Sequence, residues 1–320
     1  MKILIADSFP ESHAHTLEEM GHSCTTEPGL DENTLSSAIA DHEILIVRST
    51  KVNPATLDAG KDLKLVIRAG AGTNTIDKSH ASAKGIRVCN VPGANAIAVA
   101  ELVMGMIIAI DRNIPANVSD LRHKTWNKKK YSKARGLHGQ SIGILGLGAI
   151  GMAVAERASA FGMKVYGVAK PGRSEAAHKR IVSAGIIELE NIEAILSTCD
   201  IVSIHLPAIE STIGIVDKNF LDQMKDGAIL INSSRGELVN EADLVEAMNN
   251  KGIRAGLDVY QNEPGAGDNQ FDSAVACHQN VCGTHHIGAS TDQAQTAVAD
   301  GVLEVVQEFE SGNVLNCVNA

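Results

Sequence analysis

The sequence predicts an α/β protein made of two doubly wound parallel-sheet domains, and three observations carry that prediction. Short apolar runs alternate with helical stretches from the first residues, the alternation restarts at Ser141, and 320 residues exceed the usual size of one core. In the first hundred residues Lys2–Asp7, Glu43–Ser49, Leu63–Gly70 and Arg87–Val91 read as strands. Between them Glu11–Met20, Asp31–Ala40, Pro54–Ala59 and Asp77–Lys84 read as helices, the grammar of a parallel sheet covered on both faces. A long apolar helix, about Ala96–Ile110, leads away from this unit. The second series starts with the strand Ser141–Leu145 and continues with strands at Lys164–Ala169, Ile201–Leu206, Ala228–Asn232, Ala255–Val259 and Val281–Ile287. The final helix, about Asp292–Glu310, is long enough to cross back to the first unit. We therefore expect a discontinuous domain of residues 1–95 and 289–320, with a second domain of residues 96–288 inserted into it. Two such domains would leave a cleft, and open α/β sheets bind ligands beyond the carboxyl ends of their strands.

Directly after the strand Ser141–Leu145, the residues Gly146, Leu147, Gly148, Ala149, Ile150 and Gly151 open a helix. Gly146 permits a tight turn, Gly148 leaves no side chain between backbone and ligand, and Gly151 lets helix and strand approach. The N–H groups of the helix start then face an anion, the pyrophosphate of a dinucleotide. Ile150, Val154, Ala158 and Phe161 recur at helical spacing, with Gly162 as a C-cap before the next strand. A nicotinamide cofactor is the expected ligand. Beyond the glycines, where an acid would bind the ribose hydroxyls of NAD, the strand ends in Ala169 followed by Lys170, Pro171, Gly172 and Arg173. Lys170 and Arg173 would attract a 2′-phosphate, so NADP(H) is expected to be tolerated or preferred.

Composition limits the partners. The net charge of −10 argues against nucleic acid or membrane surfaces, so an anionic substrate needs a locally basic site. Six cysteines without a Cys-x-x-Cys pair, several in apolar strands, suit buried free thiols in a reducing compartment, and we expect a cytoplasmic protein. Met1 begins directly on an expected strand, so we expect no signal peptide, and no apolar run reaches bilayer length.

Three polar residues fall where strand ends should meet the cleft: Arg235, Glu263 and His286. An imidazole can give or take the proton of a substrate hydroxyl, an adjacent carboxylate favours its charged form and fixes its tautomer, and arginine holds a carboxylate bidentately.

The residues around them resemble the D-2-hydroxyacid dehydrogenase family. The stretch Asn232, Ser233, Ser234, Arg235, Gly236, then Leu257, Asp258, Val259 with Glu263 and Pro264, then Thr284, His286, Ile287 and Gly288 carry that likeness. Towards the N-terminus, Val47–Lys51, Arg68–Thr73 with Ile76 and Asp77, and Asn90, Pro92, Gly93, Asn95, Val99, Ala100 and Glu101 are similar to its D-3-phosphoglycerate dehydrogenase branch. The resemblance covers nearly the whole chain. It implies a Rossmann dinucleotide-binding domain inserted into a flavodoxin-like substrate domain, and oxidation of 3-phosphoglycerate to 3-phosphohydroxypyruvate in serine biosynthesis. It further implies that His286 is the general acid/base, Glu263 its carboxylate partner, and Arg235 the clamp on the substrate carboxylate and reacting oxygen. Backbone amides near Ala71 and Gly72 would hold the substrate carboxylate, Asn95 would also contact the substrate, and Arg48, Lys51 and Arg68 would meet a phosphate. Asp258 would face the nicotinamide amide, and His205, Pro207, Thr212 and Ser234 would complete the cofactor site.

Two departures from the pattern stand out. The family has proline before its catalytic histidine, and here His285 takes that place, which leaves open which histidine acts. The basic segment Lys170–Arg173 is the second. A hydroxypyruvate or glyoxylate reductase is the alternative activity, and a cofactor-sensing corepressor a further one that Arg235, Glu263 and His286 argue against. The basic run Arg122–Arg135, with Lys124, Lys128, Lys129, Lys130 and Lys133, would lie near the interface of a homodimer if the resemblance holds there. With the sequence ending soon after the last helix, we expect no regulatory extension like that of longer family members and no feedback by serine.

Overall fold

A computed structural model describes residues 1–264 and 270–319. The chain divides into two compact units, Met1–Asn95 with Ala289–Ala320, and Ala96–Gly288. Each is built on one wholly parallel sheet, as the alternation of strand and helix predicts.

The first unit contains β1 (Lys2–Ile5), β2 (Ser23–Thr26), β3 (Ile44–Val47), β4 (Leu65–Arg68) and β5 (Arg87–Asn90), ordered β2-β1-β3-β4-β5. That is the flavodoxin-like order, with its switch point between β1 and β3. Its strands bury both faces. Leu4 and Leu45 join one apolar cluster, while Ile3, Ile5, Ile44 and Ile46 join another that includes Val302, Val305 and Val306 of the final helix, Asp292–Glu310. Each such valine stabilises the unit by roughly 1.5–3 kcal/mol on full burial, which is why the end of the chain returns to the first sheet.

The second unit contains β6 (Ser141–Leu145), β7 (Lys164–Val168), β8 (Ile187–Leu189), β9 (Ile201–Ile204), β10 (Ile229–Asn232), β11 (Arg254–Leu257) and β12 (Val281–Gly283). Their order, β12-β11-β10-β9-β6-β7-β8, is the Rossmann arrangement with one further strand, and its switch point falls between β6 and β9. The apolar helix Ala96–Asp111 shares a core with Ile142, Ile144, Ile229 and Ile231 on one sheet face, while Leu145, Val202, Ile204 and Leu230 pack on the other.

Several elements differ from the sequence expectation. β2 and β8 were not expected, because Ser23–Thr26 is polar and Ile187–Leu189 is short; both are edge strands that need no apolar pattern on two faces. The helix expected over Asp31–Ala40 shrinks to Leu35–Ala38, since the Asp31 carboxylate accepts the N–H groups of Asn33 and Thr34 and holds them in a turn. The strand expected over Val281–Ile287 ends at Gly283, so His286 lies in a loop. All six cysteines are free thiols; Cys89 and Cys199 are buried, but Cys277 is exposed. Among the described residues no helix is long and apolar enough to cross a membrane.

Candidate active site

The second unit brings Arg235, Glu263 and His286 together beyond the carboxyl ends of β10, β11 and β12. Gly236 is pressed against the backbone of Tyr260, where a Cβ would collide with the Tyr260 carbonyl, and this sets the loop of Arg235 beside the loop of Glu263. The Asn232 side chain fixes the turn from within, donating to the Arg235 carbonyl at 2.8 Å and accepting from the Ser234 N–H at 3.1 Å. Glu263 divides its carboxylate: Oε1 accepts the Tyr260 N–H at 3.0 Å, and Oε2 meets His286 Nδ1 at 2.7 Å. Of the two neighbouring histidines it is thus His286, not His285, whose ring engages the carboxylate.

Asp258 builds the loop that presents His286. It is 1% exposed, and its Oδ1 accepts from the Thr284 hydroxyl (2.7 Å) and the Ile287 N–H (2.8 Å), while Oδ2 accepts the Gly288 N–H (2.9 Å). The Asp258 carbonyl takes the His286 N–H at 2.8 Å. These bonds hold His286 at φ +52°, a left-handed conformation that non-glycine residues rarely adopt and that surrounding structure must impose. The buried carboxylate is therefore committed to the histidine loop, a role the sequence did not reveal.

Electrostatics follow from this geometry. The hydrogen bond to Glu263 raises the His286 pKa above its ordinary value; burial and the Arg235 charge oppose this without overcoming it. Burial would push the Glu263 carboxyl up, but the bonds from His286 and the Tyr260 N–H, with the charges of His286 and Arg235, hold it below the usual range. An ionised carboxylate can only accept, so Nδ1 carries the shared proton and Nε2 is the nitrogen that can exchange one with a ligand.

The glycine turn sits at the switch point. A Cβ on Gly146 would strike the His205 carbonyl and one on Gly151 the Gly146 carbonyl, so both positions exclude a side chain. At Gly148 a Cβ would meet nothing within 4 Å, and no side chain caps the helix Ala149–Ala160 that starts there with Ala149 and Ile150. The donors at this start fit a pyrophosphate. Phe161 is the C-cap of that helix, and Gly162 follows it at φ +73°. His205 adds a second feature: Nε2 contacts the Ser203 hydroxyl at 2.8 Å, while Nδ1 is buried without a hydrogen-bond partner. Burial pushes its pKa down to about 4, so the ring is neutral near neutral pH. Nearby, Ser234 donates to the Ile204 carbonyl at 2.7 Å, and Thr212 closes its own loop by donating to the Pro207 carbonyl at 2.5 Å.

Lys170 and Arg173 border an open concavity of about 390 Å³ at the end of β7. Arg173 pairs with Glu188 on β8 and donates to the Val168 carbonyl at 2.6 Å. Glu188 was missed by sequence reasoning because its strand was.

In the first unit, the Arg68 guanidinium folds over Gly70, where a Cβ would collide with it, and donates to the Ala69 carbonyl at 3.3 Å. Asn90 fixes the loop of Ala71 and Gly72 by donating to the Ala71 carbonyl at 2.6 Å. Lys51 lies 3.5 Å from Glu32 and is largely exposed. The N–H of Arg48 is held by Asp7, a residue the sequence did not single out. Asn95 immediately precedes the helix Ala96–Asp111.

Comparison with known proteins gives the family of the chain. The chain belongs to the D-2-hydroxyacid dehydrogenase family, since residues 104–288 match the family model described as D-isomer specific 2-hydroxyacid dehydrogenase, NAD binding domain. It is similar to a D-3-phosphoglycerate dehydrogenase of Methanocaldococcus jannaschii, 37% identical over 325 residues, covering 100% of this chain and 60% of that protein. The chain thus spans about 60% of the length of the phosphoglycerate dehydrogenases it matches. A hydroxypyruvate reductase of Thermotoga maritima is 38% identical over 285 residues, covering 88% of this chain and 89% of that protein. Among solved structures, an acyclic imino acid reductase in complex with NADPH and D-Arg superposes with a TM-score of 0.86 at 25% identity, covering 99% and 100% of the two chains.

Proposed function

We propose that this chain is a nicotinamide-dependent D-2-hydroxyacid dehydrogenase whose first substrate is 3-phosphoglycerate. The observation that carries the reading is the 2.7 Å contact between His286 Nδ1 and Glu263, on a strained loop beside Arg235, in the unit that bears the glycine turn. A nicotinamide held by that turn supplies the acceptor or donor for the hydride at substrate C2. His286 Nε2 takes the hydroxyl proton in oxidation and returns one to the carbonyl oxygen in reduction. Arg235 grips the carboxylate and the reacting oxygen, and Glu263 keeps His286 in the right tautomer and stabilises its cationic form.

In this reading residues 1–95 and 289–320 form the substrate domain, with amides near Ala71 and Gly72 on the carboxylate, Asn95 also at the substrate, and Arg48, Lys51 and Arg68 on the phosphate. The likeness to phosphoglycerate dehydrogenases across the whole chain supports it. Hydroxypyruvate reduction is the second reading, favoured by the T. maritima relative that the chain matches over most of its length. For the cofactor, the absence of an acid at Ala169 with Lys170 and Arg173 at the concavity supports use of both NAD(H) and NADP(H). A homodimer suits the exposed apolar face of the helix Ile114–Arg122, where Ile114, Val118 and Leu121 are exposed, with Trp126, 81% exposed, shortly after it.

Nicotinamide absorbance followed with 3-phosphoglycerate, D-glycerate and their 2-oxo counterparts, each with both cofactors, tests the assignment. Faster turnover of the phosphorylated pair is expected. Turnover confined to the unphosphorylated pair moves the protein to the second reading, and no turnover with any pair overturns both.

A further inference from the structure

The concavity at the end of β7 holds an acid that the strand itself lacks. Gly167 of β7 lies against Leu147 of the glycine turn, and the concavity begins two residues further along the chain, at Ala169. Glu188, on the neighbouring strand β8, reaches it across the pairing of Val168 with Leu189 and takes one end of the Arg173 guanidinium, while the Val168 carbonyl takes the other. Both side chains are largely buried, 18% and 24% exposed, so their attraction is less screened than that of a surface pair. His178 approaches the second Glu188 oxygen at 3.8 Å. Lys170, by contrast, makes no ion pair among the described residues and is exposed.

We infer that Glu188 is a specificity-determining residue: by holding Arg173 it sets the ratio of NADP(H) to NAD(H) affinity. The inference rests on the reading that this unit binds a nicotinamide dinucleotide. A 2′-phosphate gains the planar fork of Arg173 only by displacing Glu188, and it must do so beside a carboxylate of its own sign. A ribose 2′-hydroxyl meets neither obstacle. It can donate to a carboxylate, so Glu188 supplies from β8 the acceptor that Ala169 does not. Lys170 gives a phosphate a point charge that needs no exchange.

Equilibrium binding of NADH and NADPH to the intact protein, by titration of nicotinamide fluorescence, tests this. Glu188→Gln should tighten NADPH by about tenfold and leave NADH within about threefold, the scale of one charge-assisted contact. In an Arg173→Ala background the same change should give a clearly smaller NADPH gain than in the wild type, because it relieves only the like-charge repulsion and there is no guanidinium to release. Arg173→Ala alone should weaken NADPH by about tenfold and leave NADH nearly unchanged. An unchanged affinity ratio in either single variant overturns the role of Glu188, and so does an equal NADPH gain with and without Arg173. Wild-type protein that binds neither nucleotide overturns the cofactor reading itself, which is a distinct outcome.

Discussion

The switch points of the two sheets follow one topological rule and end in opposite states. In the first unit, beyond β1 and β3, the backbone N–H groups of Arg48, Ser49 and Thr50 converge at 2.6, 3.0 and 3.1 Å on one oxygen of Asp7. The chain fills that anion site with its own carboxylate. In the second unit, beyond β6 and β9, the helix start at Gly148 has no capping side chain and open space where a Cβ would stand. Topology therefore decides where unpaired backbone donors gather, and one side chain decides whether they serve the fold or a ligand.

If the open unit carries the chemistry, the largest loss comes from removing its proton carrier. His286→Ala should lower turnover by about 10²-fold or more with nucleotide affinity intact. Near-normal turnover would remove His286 from the mechanism. The next test turns the second unit into the first. Gly148→Asp places a carboxylate at an N-cap position whose backbone is already extended, at φ −79° and ψ −162°. Aspartate there should cap the helix, so the melting temperature should hold or rise while nucleotide affinity drops by about 10²-fold or more, the anion site now being occupied by like charge. Retained affinity would show that the helix start is not where the dinucleotide binds.

Both sheets were legible in the sequence because parallel strands buried on two faces are continuous apolar runs, as in Ile44–Val47 and Ile229–Asn232. The glycine turn was legible too, since each glycine answers a local steric demand. What escaped shares one cause: it depends on contacts between residues distant in sequence. Glu188 meets Arg173 only through the pairing of β7 with the short edge strand β8. Asp7 meets the 48–50 loop across two strands, and Asp258 reaches Ile287 and Gly288 some 30 residues on. The His286 loop was misread as strand because the bonds that end it come from Asp258, not from its own residues.

In the first unit the matching perturbation empties the filled site. Asp7→Ala leaves the three N–H groups of Arg48, Ser49 and Thr50 without their acceptor and should destabilise by roughly 1.5–3 kcal/mol, the scale of a charge-assisted hydrogen bond. Thermal unfolding measures the loss. Added sulfate or phosphate should restore part of it if the site is an anion site filled from within, whereas an unchanged melting temperature would show that Asp7 contributes little and break the contrast between the units.

The smallest effect separates two carboxylates by what they hold. Asp7 is committed to backbone, while Glu263 gives one oxygen to backbone and the other to a group that titrates. The His286 pKa is raised, so the protonated form needed for reduction persists above the ordinary histidine value and is lost as pH rises through the raised one. Oxidation, which needs the neutral ring, gains over that same interval. Glu263→Gln keeps a hydrogen-bond acceptor but removes the charge, so both limbs of the profile should move to lower pH, with reduction failing earlier on the alkaline side. A profile that keeps its midpoint in this variant would mean that Glu263 orients the ring without tuning its proton, and its role would then match the structural one that Asp7 has in the other unit.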